Sequence, residues 1–172
     1  MRNKKVFFVT QAAVIAALYV VLTLLANALG LANGAVQVRF SEALTVLPFF
    51  TPAAIPGLTV GCLLANLLTG AAVLDIAFGP VATLIGAVGT YLIGKASVKW
   101  FKWLAPVPPI VANMLIVPWV LITAYEVPDA YWFLMLTVGA GEIISCGMLG
   151  LVLLHALKGN RAVIFNNGLQ VR

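Results

Sequence analysis

The sequence predicts an all-α integral membrane bundle of about six transmembrane helices, with its N- and C-termini on the cytoplasmic side. Three observations carry that expectation. Of the 172 residues, 63% are hydrophobic and 9% charged, where a soluble domain carries about 25% charged residues. Too few charges remain to coat a water-soluble surface, so lipid is the natural solvent. The apolar residues fall into runs long enough to cross a bilayer. The basic residues flank those runs in a biased pattern.

A helix rising about 1.5 Å per residue needs about 20 apolar residues to cross ~30 Å of hydrocarbon. The first span covers about 6–28, after the basic start Arg2, Lys4 and Lys5. Its end, Ala26-Asn27-Ala28, is similar to a signal-peptidase site. The run is longer than the ~7–15 residues of a signal core, so an uncleaved span is expected. The second span, about 36–50, is short and polar at its start. The third covers 53–70, the fourth 76–94, the fifth 107–125 and the sixth 131–157.

The stretch from Phe40 to Gly70 admits one long span or two short ones. Pro48, Pro52 and Pro56 favour a break, because each removes a backbone donor and crowds the preceding turn. Charge decides more strongly. With two spans and the N-terminus inside, Arg2, Lys4, Lys5, Lys95, Lys99, Lys102, Lys158, Arg161 and Arg172 share one side. Only Arg39 falls opposite. A single span would put the central lysines and the tail outside, against the positive-inside bias. The turn at Thr51-Pro52 must then reach water or pack against protein, since lipid leaves a backbone donor unsatisfied. The formal charge of +5 is spread over span ends rather than gathered in one patch, which excludes a nucleic-acid partner.

Ionisable residues within spans cost ~2.5–3.5 kcal/mol at a helix centre and need a partner or a use. Arg39, Glu42 and Glu142 stand out. Arg39 and Glu42 are three apart, on one face if helical. They serve either as an internal ion pair or as one wall of an outer pocket. Glu142 lies about 11 residues into the last span, near mid-membrane. Its partner is expected to be Arg39, a water or a ligand, unless it is a protonated acid joining helices. Asn66 and Asn113 are either interhelical glue or pocket groups. Asp75 is a candidate helix cap at the outer start of span four, compatible with ligand contact. Glu126 and Asp129 fall in an outer loop. The outer half is therefore acid-rich and suits a solute with hydrogen-bond donors or positive charge; a carboxylate accepts two parallel N–H bonds, as from a guanine edge. Trp119, Tyr125, Tyr131 and Trp132 read as an interfacial aromatic belt from which a ring could also be stacked. His155 reads as interfacial. Cys62 and Cys146 read as small core residues, with neither a disulfide framework nor a metal site in view.

Small residues mark close helix approach. Ala12/Ala16 and Ala13/Ala17 form a strip on the cytoplasmic half of span one, suited equally to a neighbouring span or a partner subunit. Gly57/Gly61/Ala65 and Gly86/Thr90/Gly94 form further seams. No Walker A sequence, His/Cys metal cluster or Ser-His-Asp set is present, so no enzyme, cofactor or metal is expected. Energy for uphill transport would come from ion coupling or another subunit.

The alanine-rich first span, Arg39-Phe-Ser41-Glu42-Ala43-Leu44, Gly57-Leu-Thr-Val-Gly61-Cys62 with Asn66, and Asp75 with Gly79 together resemble a QueT-type queuosine-precursor S component, the substrate-binding membrane subunit of an energy-coupling factor (ECF) transporter. The resemblance covers nearly the whole chain. It implies a single six-helix S-component domain in a bacterial plasma membrane that binds a 7-deazaguanine, such as the aminomethyl form, near the extracellular face. It also implies a coupling transmembrane subunit and two cytoplasmic ATPases as partners, docked on Ala12, Ala13, Ala16 and Ala17. Glu142 or Glu42 would read the guanine edge with Asn66, Asn113 and Arg39 in support, and Asp75 or Glu126 would meet the ammonium. Three other readings stay open: the same fold with another vitamin or nucleobase, a stand-alone proton-coupled carrier using Glu142, and a membrane scaffold with no ligand.

Overall fold

The computed structural model describes residues 3–31, 37–96, 99–159 and 164–165, and among these every regular element is helical. Arg2, Arg161 and Arg172 lie outside the described residues. Helix α1 (Lys4–Ala28) opens where the Asn3 side chain accepts the Lys5 N–H at 3.1 Å, as an N-cap should. It closes through Gly30 at φ +71°, with the Leu31 N–H returning to Ala26 O at 3.0 Å. Helix α2 (Ala54–Leu68) ends the same way at Gly70, φ +70°, with Ala71 N–H on Asn66 O. A glycine at this position adopts the left-handed backbone without the Cβ clash that any other residue would meet.

Between these two helices lies a 3-10 helix, Phe40–Phe49. At about 2 Å rise per residue its ten residues span about 20 Å, short of a bilayer. Pro48 inside it has no N–H to give to a ladder. Ser41, Glu42 and Leu44 to Pro48 are buried, so this element runs through the middle of the bundle. The helix does break where the prolines suggested, between Phe40–Phe49 and Ala54–Leu68. The turn at that break is packed against protein: Phe50, Thr51 and Ala53 are buried, and the Thr51 hydroxyl reaches Gln11 Oε1 at 3.2 Å. Phe50 stacks on Phe165 with ring centroids 5.4 Å apart.

Helix α3 (Val73–Lys95) starts three residues earlier than expected, so Asp75 sits within its first turn. The N-cap is Ala72, without a side-chain bond, so Asp75 is not the cap. After a turn of 3-10 helix at Lys99–Leu104 comes α4 (Val107–Ala124). The final run is continuous from α5 (Tyr131–Glu142) through a π-helical stretch, Ile143–Leu149, into α6 (Gly150–Gly159). Four stretches are long and apolar enough to cross a membrane: Lys4–Ala28, Val73–Lys95, Lys102–Ala124 and Tyr131–Gly159. Phe40–Phe49 and Ala54–Leu68 are shorter apolar helices.

Glycines set the helix spacing. A Cβ on Gly57 would lie 2.8 Å from Ala12 O, and one on Gly61 would lie 3.1 Å from Ala16 Cα and 2.8 Å from Tyr19 Cβ. The α1–α2 seam therefore consumes Ala12 and Ala16, while Ala13 and Ala17 stay exposed. The alanine strip is thus split between internal packing and an open face. Gly86 meets Pro109 of α4, and Gly94 meets the Phe49 backbone. The core between these seams gathers Tyr19, Val46, Phe50, Leu58 and Leu154. Lys4, Lys5, Lys95, Lys102 and Lys158 sit at helix ends on one side of the bundle, and the Gly30 and Gly70 turns lie at the other.

Candidate ligand pocket

At the end bearing the glycine turns, the helices part around a cavity of about 400 Å³. Its polar lining includes Thr23 and Asn27 from α1, Gln37 and Arg39 ahead of the 3-10 helix, Asn66 and Thr69 from α2, Asp75 from α3, and Tyr125 after α4. Val117, Val120 and Leu121 of α4 supply an apolar wall. Beneath it is a void of about 20 Å³ whose walls include Arg39, Glu42, Asp75, Asn113 and Glu142. Arg39, Gln37 and Asp75 line both spaces, so they form the floor that separates them.

Each acid is held by a named partner. Asp75 Oδ2 accepts the Tyr125 hydroxyl at 3.1 Å, and that hydroxyl oxygen in turn accepts the Ala72 N–H at 3.1 Å. Tyr125 therefore ties the end of α4 to the start of α3 across the pocket, rather than serving only as an interfacial anchor. The Asn66 amide donates to Asp75 O at 2.9 Å, linking α2 to α3. Gly79 makes room for that amide: a Cβ there would lie 2.7 Å from Asn66 Nδ2. Tyr19 donates its hydroxyl to Glu42 Oε1. Asn113 donates to Glu142 Oε1 at 2.8 Å, and Cys146 donates to Glu142 Oε2 at 3.0 Å.

Several sequence expectations change here. Arg39 is the extended N-cap of the 3-10 helix (φ −112°, ψ 113°), not a helical residue sharing a face with Glu42. Its backbone N–H donates to Ser145 Oγ at 3.1 Å. The Glu142 partners are Asn113 and Cys146 rather than Arg39. Cys146 is buried in the core as expected, and it also joins the acids. Its thiol lies 4.0 Å from Glu42 Oε2 as well as 3.0 Å from Glu142, and it accepts from Thr45 at 3.3 Å. The Glu42, Glu142 and Cys146 ligand atoms lie within 4.8 Å of one another, the one described group that could hold a metal ion. The Tyr19, Asn113 and thiol protons already occupy those carboxylate oxygens, which suits a polar network better than a bare cation. Glu126 stands apart: it is exposed, has a φ of +51°, and lines neither space.

Of the residues expected from the sequence, the fold brings Arg39, Glu42, Asn66, Asp75, Asn113 and Glu142 around one cavity and the void beneath it. Gln37 and, through Glu42, Tyr19 join them without having been expected. A tyrosine in the apolar middle of the first span was the available signal for Tyr19, because a buried phenol seeks an acceptor.

Several long apolar helices mark a multi-pass membrane protein, and a polar cavity of ligand size opens between them. The profile of the QueT transporter family matches residues 9–159. The chain belongs to that family. It is 34% identical over 102 residues to the queuosine precursor transporter QueT of Lactococcus lactis subsp. cremoris (strain MG1363). That match covers 59% of this chain and 60% of the relative's length. No solved structure matches the chain.

Proposed function

We propose that this protein captures a queuosine precursor, a 7-deazaguanine, at the extracellular face of a bacterial plasma membrane, as the substrate-binding subunit of an ECF-type importer. The observation that carries the proposal is the 400 Å³ cavity, whose polar lining combines a guanidinium, a carboxylate and amides against an apolar wall. A flat heterocycle with donors on one edge and acceptors on another matches that mixture. Membership of the family and the name of the Lactococcus relative support the substrate class.

In this proposal six segments cross the membrane, with Phe40–Phe49 buried among the others and α2 turning one apolar face outward to lipid. Both chain ends face the cytoplasm, because the basic helix ends then lie inside. The ring sits against Val117, Val120 and Leu121. Asp75 and Arg39 on the floor pair with its donors and its carbonyl. Glu42 and Glu142 act from below through a void large enough for about one water. Uptake is driven by a coupling membrane subunit and two ATPases that meet the exposed Ala13/Ala17 face.

Mass spectrometry of the small molecule released from the purified protein identifies the ligand; a 7-deazaguanine is expected. Titration of Glu42→Gln, Asp75→Asn and Glu142→Gln variants with 7-aminomethyl-7-deazaguanine then tests the pocket. Losses of about tenfold or more are expected where a charge-assisted bond is removed. Unchanged affinity in all three would place the ligand elsewhere.

A further inference from the structure

Beside the main cavity lies a second chamber of about 270 Å³, between α4, the segment after it and α5. Gln37, Leu121 and Val127 line both spaces, so the two chambers meet there. Their walls differ in chemistry. The main chamber holds Arg39 and Asp75. The side chamber holds one charged group, Asp129, above Phe133, Leu134 and Val138.

Apart from the Gln37 amide at the junction, which both donates and accepts, the polar side chains of the side chamber present acceptors. Thr137 also lines it, and its hydroxyl proton is committed to Leu134 O at 3.1 Å. What that oxygen offers the chamber is its lone pairs. Asp129 offers a carboxylate, and the Phe133 ring offers the negative face of its quadrupole. Arg39, whose charge would repel a cation, lines the main chamber and the void beneath it but not the side chamber.

We infer that the ligand site is bipartite, with the side chamber taking a short cationic arm carried by a ring that occupies the main cavity. The methylene stem of such an arm rests on Leu134 and Val138. Its ammonium donates to Asp129 and Thr137. This deepens the proposed function and rests on it for the identity of the ring. It moves the ammonium contact from Asp75 or Glu126, where the resemblance put it, to Asp129. Gln37, at the junction, is then the polar residue that the arm passes between the two chambers.

The test compares two probes on the purified full-length chain by calorimetry: 7-aminomethyl-7-deazaguanine and unsubstituted 7-deazaguanine. Wild-type protein should bind the armed compound more tightly. Asp129→Asn should weaken the armed compound about tenfold and leave the bare ring within about twofold. Thr137→Val should weaken the armed compound about threefold, again selectively. Asp129 is exposed, so its variant is expected to keep the melting temperature of the parent, and a structural role would move both probes together. Equal losses for the two probes, or none for either, overturn the side-chamber assignment while leaving the substrate class standing. Wild-type protein that binds neither probe overturns both.

Discussion

Among single residues, the strongest constraints come from acids buried with their donors. Glu42 depends on the Tyr19 hydroxyl, donated from an adjacent helix. Tyr19 is 1% exposed and Glu42 2%, so water cannot replace the phenol if it is removed. Tyr19→Phe is expected to destabilise the protein by ~1–3 kcal/mol, the cost of a buried acceptor left unpaired. Cys146→Ala should cost less, since Asn113 still holds Glu142. Thermal melts of the two variants in one detergent check the ranking, and an equal or reversed order would refute it. The acids themselves were legible in the sequence because an ionisable group in an apolar run needs an explanation. Their partners were not. Cys146 meets Thr45 across 101 positions of sequence and Glu42 across 104, and no local spacing encodes such a pairing.

At the level of elements, the last apolar run is irregular where it meets the buried acids. The π-helical stretch after Glu142 brings Ser145 to the Arg39 N–H and Cys146 to the Glu142 carboxylate, and such stretches are frequent at functional sites. Its sequence, Ile-Ile-Ser-Cys-Gly-Met-Leu, carries no mark of an extra residue in the turn, so the expectation was one plain helix over 131–157. The second span was half legible. Pro48 and the polar start announced something short, and the burial of Ser41, Glu42 and Thr45 in a 3-10 helix followed from contacts the sequence does not display. The segment before it is held by Gly141, where a Cβ would run into the Gln37 backbone oxygen. That neighbour is backbone and has little room to yield. Gly141→Ala is expected to shift Gln37 and Arg39 and to weaken ligand binding about tenfold or more, as displacing positioned groups does. Gly159→Ala, with nothing within 4 Å of its Cβ, should bind like the parent. Titration of both variants with the same ligand measures the contrast.

Across the whole molecule, the two ends carry different chemistry: lysines at one, the cavity at the other. The proposed orientation is open to direct labelling, because Cys62 and Cys146 are both buried and contribute little background. In intact cells a membrane-impermeant thiol reagent should modify Asp129→Cys, at the cavity end. It should modify Lys102→Cys and Lys158→Cys only after permeabilisation. The reverse pattern would invert the topology and put the pocket on the cytoplasmic side.

The division of the alanine strip separates the roles of binding and energisation. Ala16 lies in the α1–α2 seam, within 3.1 Å of where a Gly61 Cβ would stand. Ala16→Leu overpacks that seam and is expected to destabilise the bundle by ~1–3 kcal/mol. Its ligand affinity should fall with its stability. Ala17 faces outward on the same helix, one residue further on, so Ala17→Leu adds bulk to an open surface. The isolated subunit carrying Ala17→Leu should melt and bind ligand as the parent does. If that face is where the coupling subunit docks, ATP-dependent uptake in cells supplying the partner subunits should fall severalfold or more, because small residues permit the close approach that leucine blocks. Uptake equal to that of the parent, with normal expression, would remove the exposed half of the strip from the docking surface. Loss of ligand binding by purified Ala17→Leu would instead assign it to the fold.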